Sequence, residues 1–489
     1  MKKLCAAAAL CLAALGLGPA PLAFSQEKMP FVGPVYEIFP GSFADSDADG
    51  LGDLMGVAEK ADYIASLGVR AVWLTPFYPA QSYHGYDVVD YCAAKAQMGG
   101  LEAFDALVSA LHARGISVLC DLVLNHTGSE HPWFLEACRA LSSGEESPYT
   151  DYYVFSKTKE PKMHDVPGAP GWYYLGEFTY TMPDLNLDSA AVREEIERIV
   201  RFWLERGVDG FRLDAITYYY GGDTVRNTEF LTWLMETIRG VRKDAYVVGE
   251  AWTDDATISR LYESGIDSLF HFSLADTGGE IIGAVRNQNG ARLARLIAGT
   301  DFAGTDAVFL TNHDMARSAG MLTSNPQKMR AAAAAYLLSP GIPFIYYGEE
   351  IGMTGSGRDE NKRLPMVWGE AAYTCNPPEM ADQKQKLQKG VMDQEEDPDS
   401  VLNMYRRLLT IRNAHPEIPS GRPVALDLGV KAIFALDYGR SIAIINMGKT
   451  SVTVAIGMEG TLDCEGGAAL ENGRLTLEPW AAAVITKAD

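Results

Sequence analysis

The reading of the chain turns on residues Gly207–Ala215, GVDGFRLDA. The stretch has the character of a buried strand: Val208, Phe211 and Leu213 are apolar, and glycines flank its start. Yet Arg212 and Asp214 stand inside it, two residues apart. Side chains at i and i+2 of a strand share one face. An unpaired ion buried in protein costs several kcal/mol. A strand that points a guanidinium and a carboxylate the same way therefore needs a reason.

Working outward, seven more short apolar runs have the same character: PVYEIFP, AVWLTP, ISVLCDLVLNH, AYVVGEAW, SLFHF, AVFLTNHD and PFIYYGEE. Amphipathic stretches such as LEAFDALVSALHARG and SAAVREEIERIVRFWLERG lie between most of them. Alternating strands and helices predict a parallel sheet. Eight such units between about 34 and 414 predict the α/β class and a closed (β/α)8 TIM barrel. An open doubly wound sheet is the alternative, but no GxGxxG follows the first strand. Residues 127–187, rich in Pro, Gly, Tyr and Trp, interrupt the pattern after the third strand and predict an irregular inserted subdomain. From about 420 short alternating segments with glycine turns predict an all-β domain. The expected boundaries are 1–25 for a signal peptide, 26–126 and 188–415 for the barrel, 127–187 for the insertion, and 416–489 for a C-terminal β-sandwich.

The chain has 489 residues, 47% of them hydrophobic, and a formal charge of −22. So acidic a protein is unsuited to nucleic acid, whose phosphates call for Lys and Arg. Lys2 and Lys3, the run LCAAAALCLAALGLG and the small residues AFS before Gln26 form an export-signal pattern, with cleavage expected after Ser25. That predicts a periplasmic or extracellular protein without stable membrane insertion after cleavage. An uncleaved anchor is the alternative, but the apolar run is short for a span. Of seven cysteines five follow the signal, with no CxxC spacing, so a thiolate metal site is not expected and a disulfide framework is not required for so long a chain. Cys120 reads as a small core residue. A monomer is expected.

In a barrel the C-terminal strand ends and the loops after them form the active face. The third strand ends in Asp121, Asn125 and His126, the fourth in Arg212 and Asp214, the fifth in Glu250, and the seventh in Asn312, His313 and Asp314. Any one of these could be a cap or turn residue. Together they bring acids, arginine and histidine from four strands to one rim. Three carboxylates, with no thiol, serine-nucleophile motif or His-rich set, suit glycosidic-bond cleavage. One carboxylate attacks or stabilises the anomeric carbon, and one protonated acid releases the leaving oxygen. Arg212 beside Asp214 favours its ionised form.

With DLVLNH, GVDGFRLDA, GEAW and FLTNHD in that order, and MPDLN at 182–186, the chain resembles the alpha-amylase family, glycoside hydrolase family 13. The resemblance runs from about Val35 to the C-terminal domain. It implies Asp214 as nucleophile of a covalent glycosyl-enzyme, Glu250 as acid and then base, and Asp314 as transition-state stabiliser. It further implies retention of the anomer, with nucleophile and acid about 5 to 5.5 Å apart. Glu250 is expected to have a raised pKa from the acids around it. His84, Tyr86, His126, Arg212 and His313 would line the subsite of the cleaved sugar, Tyr86 as a stacking surface, and Arg363 in RLPMVW would touch sugar or pair with an acid.

Asp45, Asp47, Asp49 and Asp53 stand at alternate positions around glycines in DSDADGLGD. They offer hard oxygen ligands to a cation. The loop begins like an EF-hand but has Gly56 at the twelfth position, where that motif has Glu. The resemblance implies Ca2+, bound by these four side chains and the Leu51 carbonyl. MPDLN resembles the group between oligo-1,6-glucosidases and neopullulanases, while Ala215 and YHGYD resemble alpha-1,4-acting members. RLPMVW resembles the alpha-glucosidases. The expected function is an alpha-amylase acting on alpha-1,4 links of starch, glycogen or maltooligosaccharides. The alternatives are an alpha-glucosidase or transglycosylase, and a non-catalytic glucan-binding protein.

Overall fold

The computed structural model describes residues 33–300 and 306–488; the expected signal peptide lies outside them. All eight apolar runs form parallel strands: β1 (Val35–Ile38), β2 (Ala71–Leu74), β3 (Ser117–Leu122), β4 (Gly210–Leu213), β5 (Tyr246–Gly249), β6 (Ser268–Leu269), β7 (Ala307–Phe309) and β8 (Ile342–Tyr346). β8 pairs with β1, and the order then runs through β2, β3, β4, β5 and β6, with β7 on the far side of β8. A parallel bridge between Phe270 and Ala307 joins β6 to β7, so the sheet curls into a nearly closed barrel. That excludes the open doubly wound sheet.

The strands read as continuous apolar runs because both faces are covered. Inward positions such as Val35, Trp73, Leu119, Val248, Phe309 and Phe344 form one cluster inside the barrel. The alternate positions, Tyr36, Val72, Cys120 and Phe211, join the core beneath the helices. The helix Gly100–His112 buries Ala103, Phe104, Leu107, Val108 and Leu111, and Ala190–Glu205 buries Val192, Ile196, Ile199, Val200 and Trp203. Both follow the three- and four-residue spacing of a single apolar helix face. Gly210 opens β4 because a Cβ there would meet the Tyr246 carbonyl of β5 at less than contact distance. Any side chain at Gly210 would wedge apart the two strands that carry Arg212 and Glu250.

The insertion is more regular than its composition suggests. It holds a 12-residue helix, Pro132–Ser143, started by Pro132 and stopped at Gly144 (φ 74°), and three short antiparallel strands. Its ends are pinned beside β3: the Thr127 N–H donates to the Pro183 carbonyl (3.1 Å), and the Leu185 N–H to that of Asn125 (2.9 Å).

The C-terminal segment forms a five-stranded and a three-stranded antiparallel sheet. Ile433, Ala435, Ile442 and Ile444 from the larger pack with Val454, Leu475 and Leu477 from the smaller. On its other face the larger sheet sends Phe434, Leu436, Ala443 and Ile445 into the main core. Buried Glu465 holds the seam, accepting from Arg330 Nε (2.9 Å) and from Arg407.

Candidate active site

Arg212 reaches up inside the barrel and is buried to 1% exposure. Its register partner on β3 is Asp121. Arg212 Nη1 donates to Asp121 Oδ1 (2.7 Å) and Oδ2 (3.0 Å), and to Asp214 Oδ1 (2.7 Å). Nη2 donates to Glu250 Oε2 (2.7 Å), which also takes the Ala215 N–H (3.1 Å). One guanidinium therefore ties together acids from β3 and from the ends of β4 and β5. Charge-assisted bonds of this kind offset the desolvation that burial imposes. The chain turns away from β4 at Ala215, which has φ 47°.

Asp314 closes the group from the end of β7. Arg363 Nη2 donates to its Oδ1 (2.7 Å), while Arg363 Nη1 donates to Tyr83 Oη (2.8 Å). His313 Nε2 lies 3.2 Å from Asp314 Oδ2 and 2.6 Å from Tyr86 Oη, which donates to Asp121 Oδ2 (2.9 Å). The Tyr86 ring stacks on His313, with centroids 5.5 Å apart and planes at 12°. Tyr86 thus spends one face on His313. His84 is half-buried beside it, its Nδ1 accepting the Tyr86 N–H (3.1 Å). The Nε2 of buried His126 has no protein partner among the described residues.

The electrostatics divide the acids. Burial pushes Asp121 up to about 7 against the pull of Arg212. Burial raises Asp214 and Glu250 as well, and Arg212 draws both back. For Glu250 burial is the larger cause, and the expected neighbouring carboxylates, Asp214 and Asp314, add to it as smaller ones. For Asp214 burial outweighs the expected effect of Arg212. For Asp314 burial works upward too, but His313 and Arg363 overcome it and hold the carboxyl far below the usual range. For His313 burial opposes the charge, yet Asp314 and Glu37 win, and its pKa is pushed up to about 9.

Several groups at this mouth were not assigned roles from sequence. Glu37 on β1 binds His313, and Asp121 anchors Arg212. Trp252, 59% exposed, stacks on Phe272 with centroids 4.7 Å apart, and Phe178 packs edge-on to Tyr218 at 5.3 Å. Each was visible only as one polar or aromatic residue among others, because the partner that gives it meaning lies far along the chain.

In the acidic loop, carboxylate oxygens of Asp45, Asp47 and Asp49 lie within 4.8 Å of one another. Asp45 is buried, and Gly50 (φ 93°) lets the chain turn back so that its N–H reaches Asp45 Oδ2 (2.7 Å). Asp53 stands outside that trio. Its oxygens accept from Ser46 and from Gly56, capping the helix Leu54–Glu59. Leu51 lies in the same loop and gives its N–H to Asp49 Oδ1 (2.7 Å). An all-oxygen, three-carboxylate set fits a hard divalent cation.

Acids drawn from several strand ends around one buried arginine are the equipment of a glycosidase. The sequence family described as alpha amylase, catalytic domain, matches residues 37–421. Alpha-amylase 3 of Dictyoglomus thermophilum is 40% identical over 401 residues, 77% of this chain and 76% of that one. A trehalose synthase/amylase of Mycobacterium tuberculosis is 31% identical, over 83% of this chain and 78% of the relative. The solved structure of Eubacterium rectale Amy13B superposes with a TM-score of 0.88 at 39% identity, over 94% of this chain and 96% of that one. The chain belongs to the alpha-amylase family, glycoside hydrolase family 13, and is a glycoside hydrolase.

The buried ionisations set a pH dependence of stability. A histidine whose pKa is raised on folding stabilises fully below its unfolded value near 6.5, and that contribution is lost as pH climbs through about 9. Buried acids raised to about 7, Asp121, Asp184 and Glu349, act in a lower window: the unfolded chain sheds their protons near pH 4 and the folded one near 7, so their stabilisation falls between those values and the decline above pH 7 belongs to His313. His126 and His131, lowered to about 4 by burial, act oppositely only below about 6.5. The melting temperature is therefore expected to fall steadily between about pH 6.5 and 9. Scanning calorimetry across that window checks it, and a level or rising Tm contradicts the assignment.

Proposed function

We propose that the protein is a retaining alpha-amylase that hydrolyses alpha-1,4-glucosidic bonds of starch, glycogen or maltooligosaccharides. The observation that carries the reading is Arg212 bonded at 2.7 Å to both Asp214 and Glu250. Asp214 gives Oδ1 to the guanidinium and turns its other oxygen to the anomeric carbon. Both N–H donors to Glu250 fall on Oε2, which leaves Oε1 to carry the proton.

In the first step Asp214 bonds to the anomeric carbon as the glycosidic C–O bond breaks, and the Glu250 proton goes to the leaving oxygen. Water then attacks the same carbon, giving its proton to Glu250 and freeing Asp214. Two displacements restore the alpha configuration. Asp314, held ionised by His313 and Arg363, takes sugar hydroxyls and opposes the positive charge of the oxocarbenium-like transition state. His84, Tyr86, His126 and Arg363 position the sugar.

The lean toward alpha-1,4 links follows Ala215, YHGYD and the likeness to Alpha-amylase 3 of Dictyoglomus thermophilum. One observation favours a second reading. The segment RLPMVW, whose Arg363 bonds Asp314, resembles the alpha-glucosidases and so points to an alpha-glucosidase or transglycosylase. Chromatography of products from amylopectin, maltotriose and pullulan separates the two, with NMR of the first-formed anomer. An alpha-amylase gives maltooligosaccharides of alpha configuration. Glucose alone, or products longer than the substrate, favours the second reading, and a beta product removes the retaining mechanism.

In the acidic loop Asp45, Asp47, Asp49, Asp53 and the Leu51 carbonyl would hold Ca2+. The ion would supply only the charge that lets these carboxylates share one turn. Export to the periplasm or beyond follows from the N-terminal pattern. Chelation is expected to lower Tm by several degrees, with recovery on adding Ca2+, because an ion bound only by the folded state stabilises it. An unchanged Tm counts against a structural ion.

A further inference from the structure

Glu37 lies in the middle of β1, 1% exposed, among apolar neighbours. Its register partners are Trp73 on β2 and Tyr346 on β8, neither of which balances a charge. What meets it is His313. The Nδ1 of His313 lies 2.6 Å from Glu37 Oε1, and its backbone N–H donates to the same oxygen (3.2 Å). The imidazole is itself fully buried and stands edge-on to Trp73, with centroids 5.6 Å apart.

The hydrogen positions follow from the acceptors. A carboxylate only accepts, so the ring must carry hydrogen on Nδ1, facing Glu37. On the other side Nε2 faces the Asp314 carboxylate at 3.2 Å, and a bare nitrogen lone pair would be repelled there. Nε2 must carry hydrogen as well. A ring with hydrogen on both nitrogens is the imidazolium. The Tyr86 oxygen, 2.6 Å from Nε2, then accepts, and its own O–H points to Asp121. Every hydrogen from β1 to Asp121 has one place.

Resting on the reading of Asp314 as a sugar-binding group held ionised by His313, we propose that Glu37 is a positioning residue that locks His313 as an imidazolium. It thereby keeps the Nε2 hydrogen on Tyr86 and Asp314, and Asp314 ionised, through the alkaline range of activity. The charged or titratable groups facing His313 are Glu37 from β1, Tyr86 from the loop after β2, Asp121 from β3, Arg212 and Asp214 from β4 and its end, and Asp314 beside it, with Arg363 beyond Asp314. Without Glu37, Asp314 would be the one anion in direct contact with the ring. Like-charge repulsion from Arg212 and Arg363, together with burial, would then favour the neutral form.

Glu37→Gln tests this, because the amide oxygen can still accept from Nδ1 while the charge is gone. The ring signals of His313 in 15N-histidine-labelled protein, assigned with His313→Asn, report its ionisation directly. The wild type is expected to remain imidazolium through pH 8. In the variant the transition should move down by about one to two pH units. The alkaline limb of kcat/KM should follow, with activity within about threefold of wild type at pH 5 and at least tenfold lower at pH 8. An unmoved His313 titration overturns the proposal, as does a loss of activity equal at pH 5 and pH 8, which marks a purely structural role. If Glu37→Gln does not fold, Glu37→Asp serves, its shorter carboxylate being expected to weaken the contact and give a smaller shift in the same direction. The NMR readout needs no catalysis, so failure of the amylase reading would leave it interpretable.

Discussion

The structure depends on keeping one guanidinium inside the mouth of the barrel. Arg212 is almost fully buried and is held by three carboxylates from three strands. Removing any one leaves the others with too much or too little charge, and an uncompensated buried ion costs about 3 to 5 kcal/mol. This constraint explains why Gly210 precedes Arg212 on β4, where β5 must pass close. It explains the turn at Ala215, which brings an N–H onto the carboxylate that Arg212 already holds. It also explains why burial raises Asp214 and Glu250 only in part, since the arginine opposes it for both.

A second charge system backs the first. Glu37, His313, Asp314 and Arg363 alternate in sign from the barrel wall to its rim, and Tyr86 links them to Asp121. The acids of the site therefore live in different fields. Asp314 is pinned ionised by two cationic neighbours, while Glu250 shares Arg212 with two other acids and can hold a proton. Pushing the pKa values of neighbouring acids apart is how one site performs both acid and nucleophilic chemistry at one pH.

The fold was legible because a barrel strand covered on both faces leaves a continuous apolar run, and eight such runs survive in this sequence. Even β6, two residues long in the structure, was marked by SLFHF. The insertion was less legible, since Pro132 and the glycines around its helix read equally well as loop chemistry. Arg212 stood out because its partner Asp214 is two residues away. Glu37 breaks an apolar run in the same manner, but its partner is 276 residues distant, and only the closing of the barrel joins them. Trp252 and Phe272 likewise gain meaning only once stacked. Asp53 shows the opposite difficulty, for its acidic spacing pointed to a metal while its oxygens also cap a helix.

The account stands on Asp214 as the atom that bonds to sugar and Glu250 as the acid that is dispensable when the leaving group needs no proton. Mass spectrometry of Glu250→Gln quenched during reaction with alpha-maltosyl fluoride tests both at once. Fluoride departs without help from an acid, and the missing base stalls the water step. The account predicts a peptide containing Asp214 heavier by one maltosyl group. A label on another residue, or fluoride release with no labelled peptide at any quench time, would contradict it.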